Sequence, residues 1–160
     1  MARAATDAET RAASEDHAAI RIWLRMLATN RLIETRTRRL LQERYGTTLP
    51  RFDLMAQLER VPAGLKMGEL SRRMMVTGGN ITGITDGLVQ EGLVERVGDP
   101  GDRRAWLVQL TPAGRRAFAR MAREHERWVV EAFGALRARE MMLMAGFLAR
   151  LKAHVRALEE

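Results

Sequence analysis

The sequence predicts a mainly α-helical fold with one small β-hairpin. Three observations carry that expectation. Apolar residues recur at three- and four-residue spacing along most of the chain. Only "LVERV" (Leu93–Val97) and "AWLVQL" (Ala105–Leu110) read as strands. The segment joining them, "GDPGDRR", has the Gly, Pro and Asp content of a hairpin loop.

Taken in order, residues 1–15 lack periodicity and are expected to be a flexible extension, leaving 16–160 as a single domain. From about Asp16 to Tyr45, Ile20, Leu24, Leu27, Leu40 and Leu41 keep helical spacing, and Gly46 sits where a helix-ending glycine belongs. Thr48 is the expected cap of a second helix with Pro50 in its first turn, ending near Arg60. "MGELSRRM" (Met67–Met74) is a short third helix, preceded by Lys66, a poor cap. Thr77 suits the N-cap of a fourth helix and Gly92 its stop. After the hairpin, Thr111 and Pro112 open a fifth helix to about Leu136, and Arg139–Leu158 is a sixth.

Composition narrows the function. The chain has 160 residues, no cysteine and three histidines, His17, His125 and His154, placed far apart. Disulfides and thiolate metal sites are excluded, and neither a metal nor a cofactor is expected. No apolar run approaches the roughly 20 residues a membrane span needs, and "MARAATDAETRAASEDH" lacks a signal-peptide core. A cytoplasmic protein with no membrane partner is the expectation. The formal charge is +7, from 25 arginines and two lysines against 20 acidic residues, which suggests a polyanionic partner such as nucleic acid. Ser-His-Asp spacing, a metal triad and a strand-rich α/β core are all missing, so an enzyme is not expected.

The stretch "TGGNITGITDGL" (Thr77–Leu88) holds four glycines and poses the sharpest question. A phosphate loop needs Gly-Lys-Ser/Thr after a strand, but Gly83 is followed by Ile84 and Thr85. Read as a helix, the segment places Ile81, Ile84, Leu88 and Val89 on one apolar face and leaves Gly79, Asn80, Thr82 and Gly83 elsewhere. Asn can pair bidentately with adenine, and a Thr methyl can pack on thymine. Glycines admit close approach to DNA, at a cost of about 0.5–1 kcal/mol each inside a helix. Helix, short helix, helix and hairpin in this order make a winged helix-turn-helix, and an arginine at the hairpin tip suits a narrow minor groove.

The stretch from Gly68 to Gly114, above all "EGLVER", "DPGDRR" and "LVQLTPAG" in that order, resembles the core of the multiple-antibiotic-resistance-regulator (MarR) family. The resemblance covers Ile20–Leu158 in architecture and Met67–Gly114 in motif detail. It implies homodimeric winged-helix repressors on pseudopalindromic double-stranded operator DNA, released by a small aromatic or phenolic ligand. Arg104 matches the wing arginine that enters the minor groove, and Asp102 the acid that orients it. Together with Arg72, Arg73, Thr77, Gly79, Asn80, Thr82, Gly83, Thr85 and Arg103 they form the expected DNA-binding set. At Gly83 the family often carries a longer, basic side chain. Direct readout is therefore expected from Asn80, Thr82 and Thr85, and more from the wing.

By the same resemblance residues 16–46 and 112–160 are dimerisation helices flanking the winged part, 48–111. The last helix supports this: Met141, Met144, Leu148, Leu151, Val155 and Leu158 step by 3, 4, 3, 4 and 3, the spacing of a helix seam, and Ile20 is expected to join them. The family's effector pocket lies between the first helix, the second helix and the base of the fifth. Its expected lining here is Trp23, Met26, Leu27, Asn30, Arg36, Phe52, Met55 and Met67. The stretches Ile20–Leu41 and Thr47–Asn80 further resemble a branch that senses hydroxycinnamoyl-CoA thioesters and controls hydroxycinnamate breakdown. Arginines beside an aromatic slot suit a CoA phosphate. Seven arginines face two glutamates from Ile20 to Tyr45, whereas Arg51 to Val94 is neutral, so the charge excess sits away from the reading helices. Regulation of efflux or stress genes, and a helical dimeriser that binds no DNA, are the alternatives.

Overall fold

The computed structural model describes residues 17–74 and 78–159, with the Arg103 side chain left outside that description. Helix α1 (Ala18–Tyr45) is followed by α2 (Leu49–Glu59), β1 (Leu65–Lys66), α3 (Met67–Met74), α4 (Gly78–Gln90), β2 (Val94–Asp99), β3 (Asp102–Leu110), α5 (Pro112–Ala132) and α6 (Ala138–Ala157). The mainly helical winged fold is as expected. The chain divides into two compact units, one running to His125 and one from Glu126 onward.

In the first unit, α1 stops where Gly46 turns left-handed at φ 60° and donates its N–H to the Gln42 carbonyl at 3.0 Å. A left-handed turn of this kind is costly for any residue with a Cβ. Thr48 occupies the position before α2 in extended backbone, but its hydroxyl makes no capping bond, so the expected cap is not formed. Leu41, Leu54, Met55, Leu58, Leu70, Ile81 and Leu88 are fully buried and join α1–α4 in one core. Burying Ile81 and Leu88, at about 1.5–3 kcal/mol each, outweighs the interior glycine penalty of α4. Helix α4 therefore forms because it packs, not because its sequence favours a helix.

The sheet is antiparallel with strand order β1-β3-β2. Leu65 faces Val108 and Lys66 faces Leu107 across β1 and β3, while Val94 faces Leu110 and Gly98 faces Trp106 across β2 and β3. Strand β1 was not expected, since two residues are too short to show alternation. The hairpin strands run further than expected, leaving only Pro100 and Gly101 between Asp99 and Asp102. Thr111 closes the sheet onto α5: its hydroxyl donates to the Gly92 carbonyl at 2.7 Å and accepts the Gly114 N–H at 3.0 Å. Such a cap satisfies an orphan helix-end donor. The start of α5 lies so close to β2 that a Cβ on Gly114 would stand 1.8 Å from the Leu93 carbonyl oxygen.

In the second unit α6 begins with a reciprocal contact at 2.8 Å, the Glu140 carboxylate accepting the Arg137 backbone N–H. The Arg137 guanidinium first, and that backbone bond second, hold the Glu140 carboxyl below its usual range. No residue of α6 is buried. Met141, Met144, Leu148, Leu151, Val155 and Leu158 are all exposed, and so are Met142, Leu143 and Phe147.

Candidate nucleic-acid interface

The outward face of α4 is bare. Gly78, Gly79, Asn80, Thr82 and Gly83 are exposed, and a Cβ built on any of the three glycines would touch nothing within 4 Å. Internal packing therefore does not require glycine there. Thr82 donates its hydroxyl to the Gly78 carbonyl at 3.0 Å, which leaves a methyl and an acceptor lone pair for a base. Thr85 corrects the expectation. It is fully buried, donates its hydroxyl to the Ile81 carbonyl at 2.8 Å and approaches the Met67 sulfur at 3.7 Å. Position 85 follows Ile81 by four and precedes Leu88 by three, so it falls on the core face and offers no surface to DNA. Thr77 lies outside the described residues.

Two arginines of the reading head are tied down. Arg73 of α3 bonds Glu69 one turn earlier at 3.0 Å through its Nε. Arg96 of β2 bonds Asp86, the one charged side chain of α4. Arg72 is exposed.

The wing is built around two aspartates. Asp99 accepts the Gly101 N–H at 2.8 Å and the Lys66 ammonium at 3.0 Å, which ties the wing to β1 at the start of α3. The Gly101 N–H first, and Lys66 second, hold the Asp99 carboxyl below its usual range. Pairing is irregular beyond Gly98: Gly98 faces Trp106, but Asp99 faces Asp102, so 103–105 form a bulge. Bulges re-aim side chains. Here Asp102 accepts the backbone N–H of Arg104 at 3.0 Å. The expected partnership of Asp102 and Arg104 runs through the backbone. The acid orients the main chain, and the guanidinium of Arg104 is exposed and bonds no described residue.

A cavity of about 570 Å³ opens among α1, α2, α3 and the first part of α5. The Phe52 ring lies 5.4 Å from Phe118 and 4.9 Å from His125, centre to centre. Glu34, Arg38, Asp53, Arg60 and Arg73 bring charge to its wall. Burial raises the Asp53 carboxyl, against the pull of His125, and burial lowers the His125 imidazole, against the pull of Asp53. Of the eight residues expected to bind ligand, Phe52 alone lines this cavity. Met55 is in the core; Trp23 and Asn30 are exposed, with Asn30 bonded to Glu34 at 3.2 Å; Met26, Leu27, Arg36 and Met67 are half-buried elsewhere. Phe118 and His125 were missed. Their helical phase was readable, but not which helix they would meet. Among the described residues there is no cluster of three metal-binding side chains, and no helix is long and apolar enough to cross a membrane.

A bare helix packed on a short one, followed by a hairpin with an arginine-bearing bulge, defines a winged helix-turn-helix protein. A MarR family model matches residues 45–105. The transcriptional activatory protein BadR of Rhodopseudomonas palustris is 34% identical over 123 residues, covering 75% of this chain and 68% of that one. A MarR family regulator from Silicibacter pomeroyi has a TM-score of 0.75 at 30% identity, over 89% of this chain and 99% of its own. One from Streptomyces coelicolor, solved in complex with DNA, has a TM-score of 0.72 at 25% identity, over 82% of this chain and 83% of its own. The chain belongs to the MarR family of transcriptional regulators. These relatives are regulators, not enzymes.

Proposed function

We propose that this regulator acts as a homodimer on pseudopalindromic operator DNA, laying α4 of each copy in the major groove and its wing in the adjoining minor groove. The observation that carries the reading is the pairing of an unobstructed α4 surface with an exposed Arg104 guanidinium that bonds no described residue, on a bulged strand. Helix-turn-helix proteins read bases from the first turns of the second helix. An exposed cation suits the minor groove, where the potential is most negative. Asn80 and Thr82 are the side chains placed to read bases, with Gly79 and Gly83 letting backbone come close. Arg72 and Arg103 add charge for phosphates, whereas Arg73 is committed to Glu69.

Dimerisation explains the apolar surface of α6, exposed at Met141, Met144, Leu148, Leu151, Val155 and Leu158, and the exposed Ile20 at the start of α1. A second copy covering these faces leaves the two reading heads as a two-fold pair.

The effector fits the cavity around Phe52: a small aromatic acid, or its CoA thioester, with its ring against Phe52 and Phe118 and its anionic part toward Arg38 and Arg60. A hydroxycinnamoyl-CoA thioester is the finer form of this reading, with genes of aromatic breakdown as targets. The wall includes Arg73 and Met74 at the end of α3, so an occupant would touch the reading head directly. Ligand and operator then compete for different placements of the heads, each shifting the balance only by its differential affinity. Repression relieved by the ligand is the favoured mode. Activation is the second, because BadR is named an activatory protein.

A mobility shift on the DNA upstream of the chain's own gene tests this. Wild type should shift the fragment, Arg104→Ala should bind about tenfold or more weakly with its dimer intact, and an aromatic acid or its CoA ester should release wild type. Equal binding by Arg104→Ala removes the wing from the reading.

A further inference from the structure

Trp106 is the large apolar residue of the wing, and it is 60% exposed. From Trp106 to Leu110 the pairing with β2 is regular, so Trp106, Val108 and Leu110 share one sheet face with Gly98, Arg96 and Val94. Val94, Val108 and Leu110 of that row are buried, and Arg96 reaches across to Asp86 of α4. The row therefore faces the side on which α4 packs. Trp106 is its outermost member, beyond the core. Opposite it stands Gly98, which has no side chain to cover the ring and whose Cβ position meets nothing within 4 Å. The next residues toward the tip are the bulge that carries Arg104.

An indole has an apolar body and one N–H donor, with no acceptor. Its natural partner is an apolar surface edged by acceptors. The deoxyribose rim of a groove, flanked by phosphate oxygens, has that chemistry, and the exposed charge of Arg104 beside it favours a polyanion over an apolar protein face.

We propose that Trp106 is a DNA-contact residue, its ring packed on the sugar edge of the groove that the wing enters and its Nε1–H turned to a phosphate. This rests on the DNA-binding reading above. The contact is sequence-independent: it adds affinity without selecting bases, and because the residue is uncharged it releases no counterion. Those two properties separate it from Arg104, whose loss must change the salt response.

The test is a titration of full-length wild type, Trp106→Ala, Trp106→Phe and Arg104→Ala against the upstream fragment and an unrelated duplex, at several salt concentrations, with tryptophan emission followed. Trp106→Ala should bind both duplexes about 5–20-fold more weakly with an unchanged salt slope. Trp106→Phe should recover most of the affinity but lose the emission change that DNA causes in wild type. Arg104→Ala should weaken binding and reduce the slope by about one. The proposal fails if Trp106→Ala binds within about twofold of wild type, or if the DNA-induced emission change persists in Trp106→Phe, while Arg104→Ala still binds poorly; the wing reading then survives without Trp106. Wild type that binds neither duplex at low salt overturns both. Should Trp106→Ala melt early, the affinity and emission of Trp106→Phe decide.

Discussion

The same residue type serves opposite ends in two parts of this molecule. At the junction of β2 and α5, Gly114 is glycine because the protein itself fills the space: its Cβ position lies 1.8 Å from the Leu93 carbonyl oxygen. On α4, Gly79 and Gly83 have open space around them, so no described residue demands them. The first glycine is explained by the fold. The others are unfavourable for the helix that holds them, and the proposed approach of a duplex would account for them. A glycine-rich run cannot be interpreted until the space beside each Cα is known.

The largest effect sharpens the first half of the comparison. Gly114→Ala should destabilise the protein by about 3 kcal/mol or more, since backbone must move to admit a methyl group. Thermal melting would show it, and an unchanged melting temperature would mean that the α5 junction is looser than described.

A smaller effect concerns the wing, whose tip is tied to β1 by the Lys66–Asp99 pair. The carboxyl of Asp99 sits below its ordinary value of 3.8 in the folded chain. Its contribution is therefore fully present above the unfolded value, and is lost as pH falls through the folded one. Asp99→Asn should be less stable than wild type at neutral pH and should converge with it in strong acid. A difference that persists unchanged below pH ~2 would assign the effect to packing rather than charge. Operator affinity should fall with it, because Lys66–Asp99 ties the wing to the start of α3.

Much of this was legible in the sequence because local rules agreed with the fold. Gly46 and Gly92 mark helix ends and both take positive φ, at 60° and 68°. The run "LVQLTPAG" encodes a strand, the Thr111 cap, Pro112 at the helix start and the close approach at Gly114. What was misread has a common cause. Thr85 was placed outward because it is polar, although its helical phase sets it between Ile81 and Leu88 on the buried face. Asp102 is expected to orient Arg104, but that it does so through the main chain is a detail only the bulge decides. The cavity around Phe52 takes most of its lining from residues other than the expected ones, for periodicity gives the face of each helix but not its neighbour. Strand β1 leaves no trace because its identity comes from its partner, β3.

The smallest change in stability carries the most weight. Gly83→Ala adds a methyl group to open space on an exposed helix, so the free protein should gain about 0.5–1 kcal/mol. Measured on the same sample, affinity for the upstream DNA should fall about tenfold, because this chain has no long contacting side chain at position 83 and relies there on close backbone approach, which an inert methyl group would hold off. A protein that melts higher and binds as tightly as before would contradict the claim that α4 is bare in order to meet DNA.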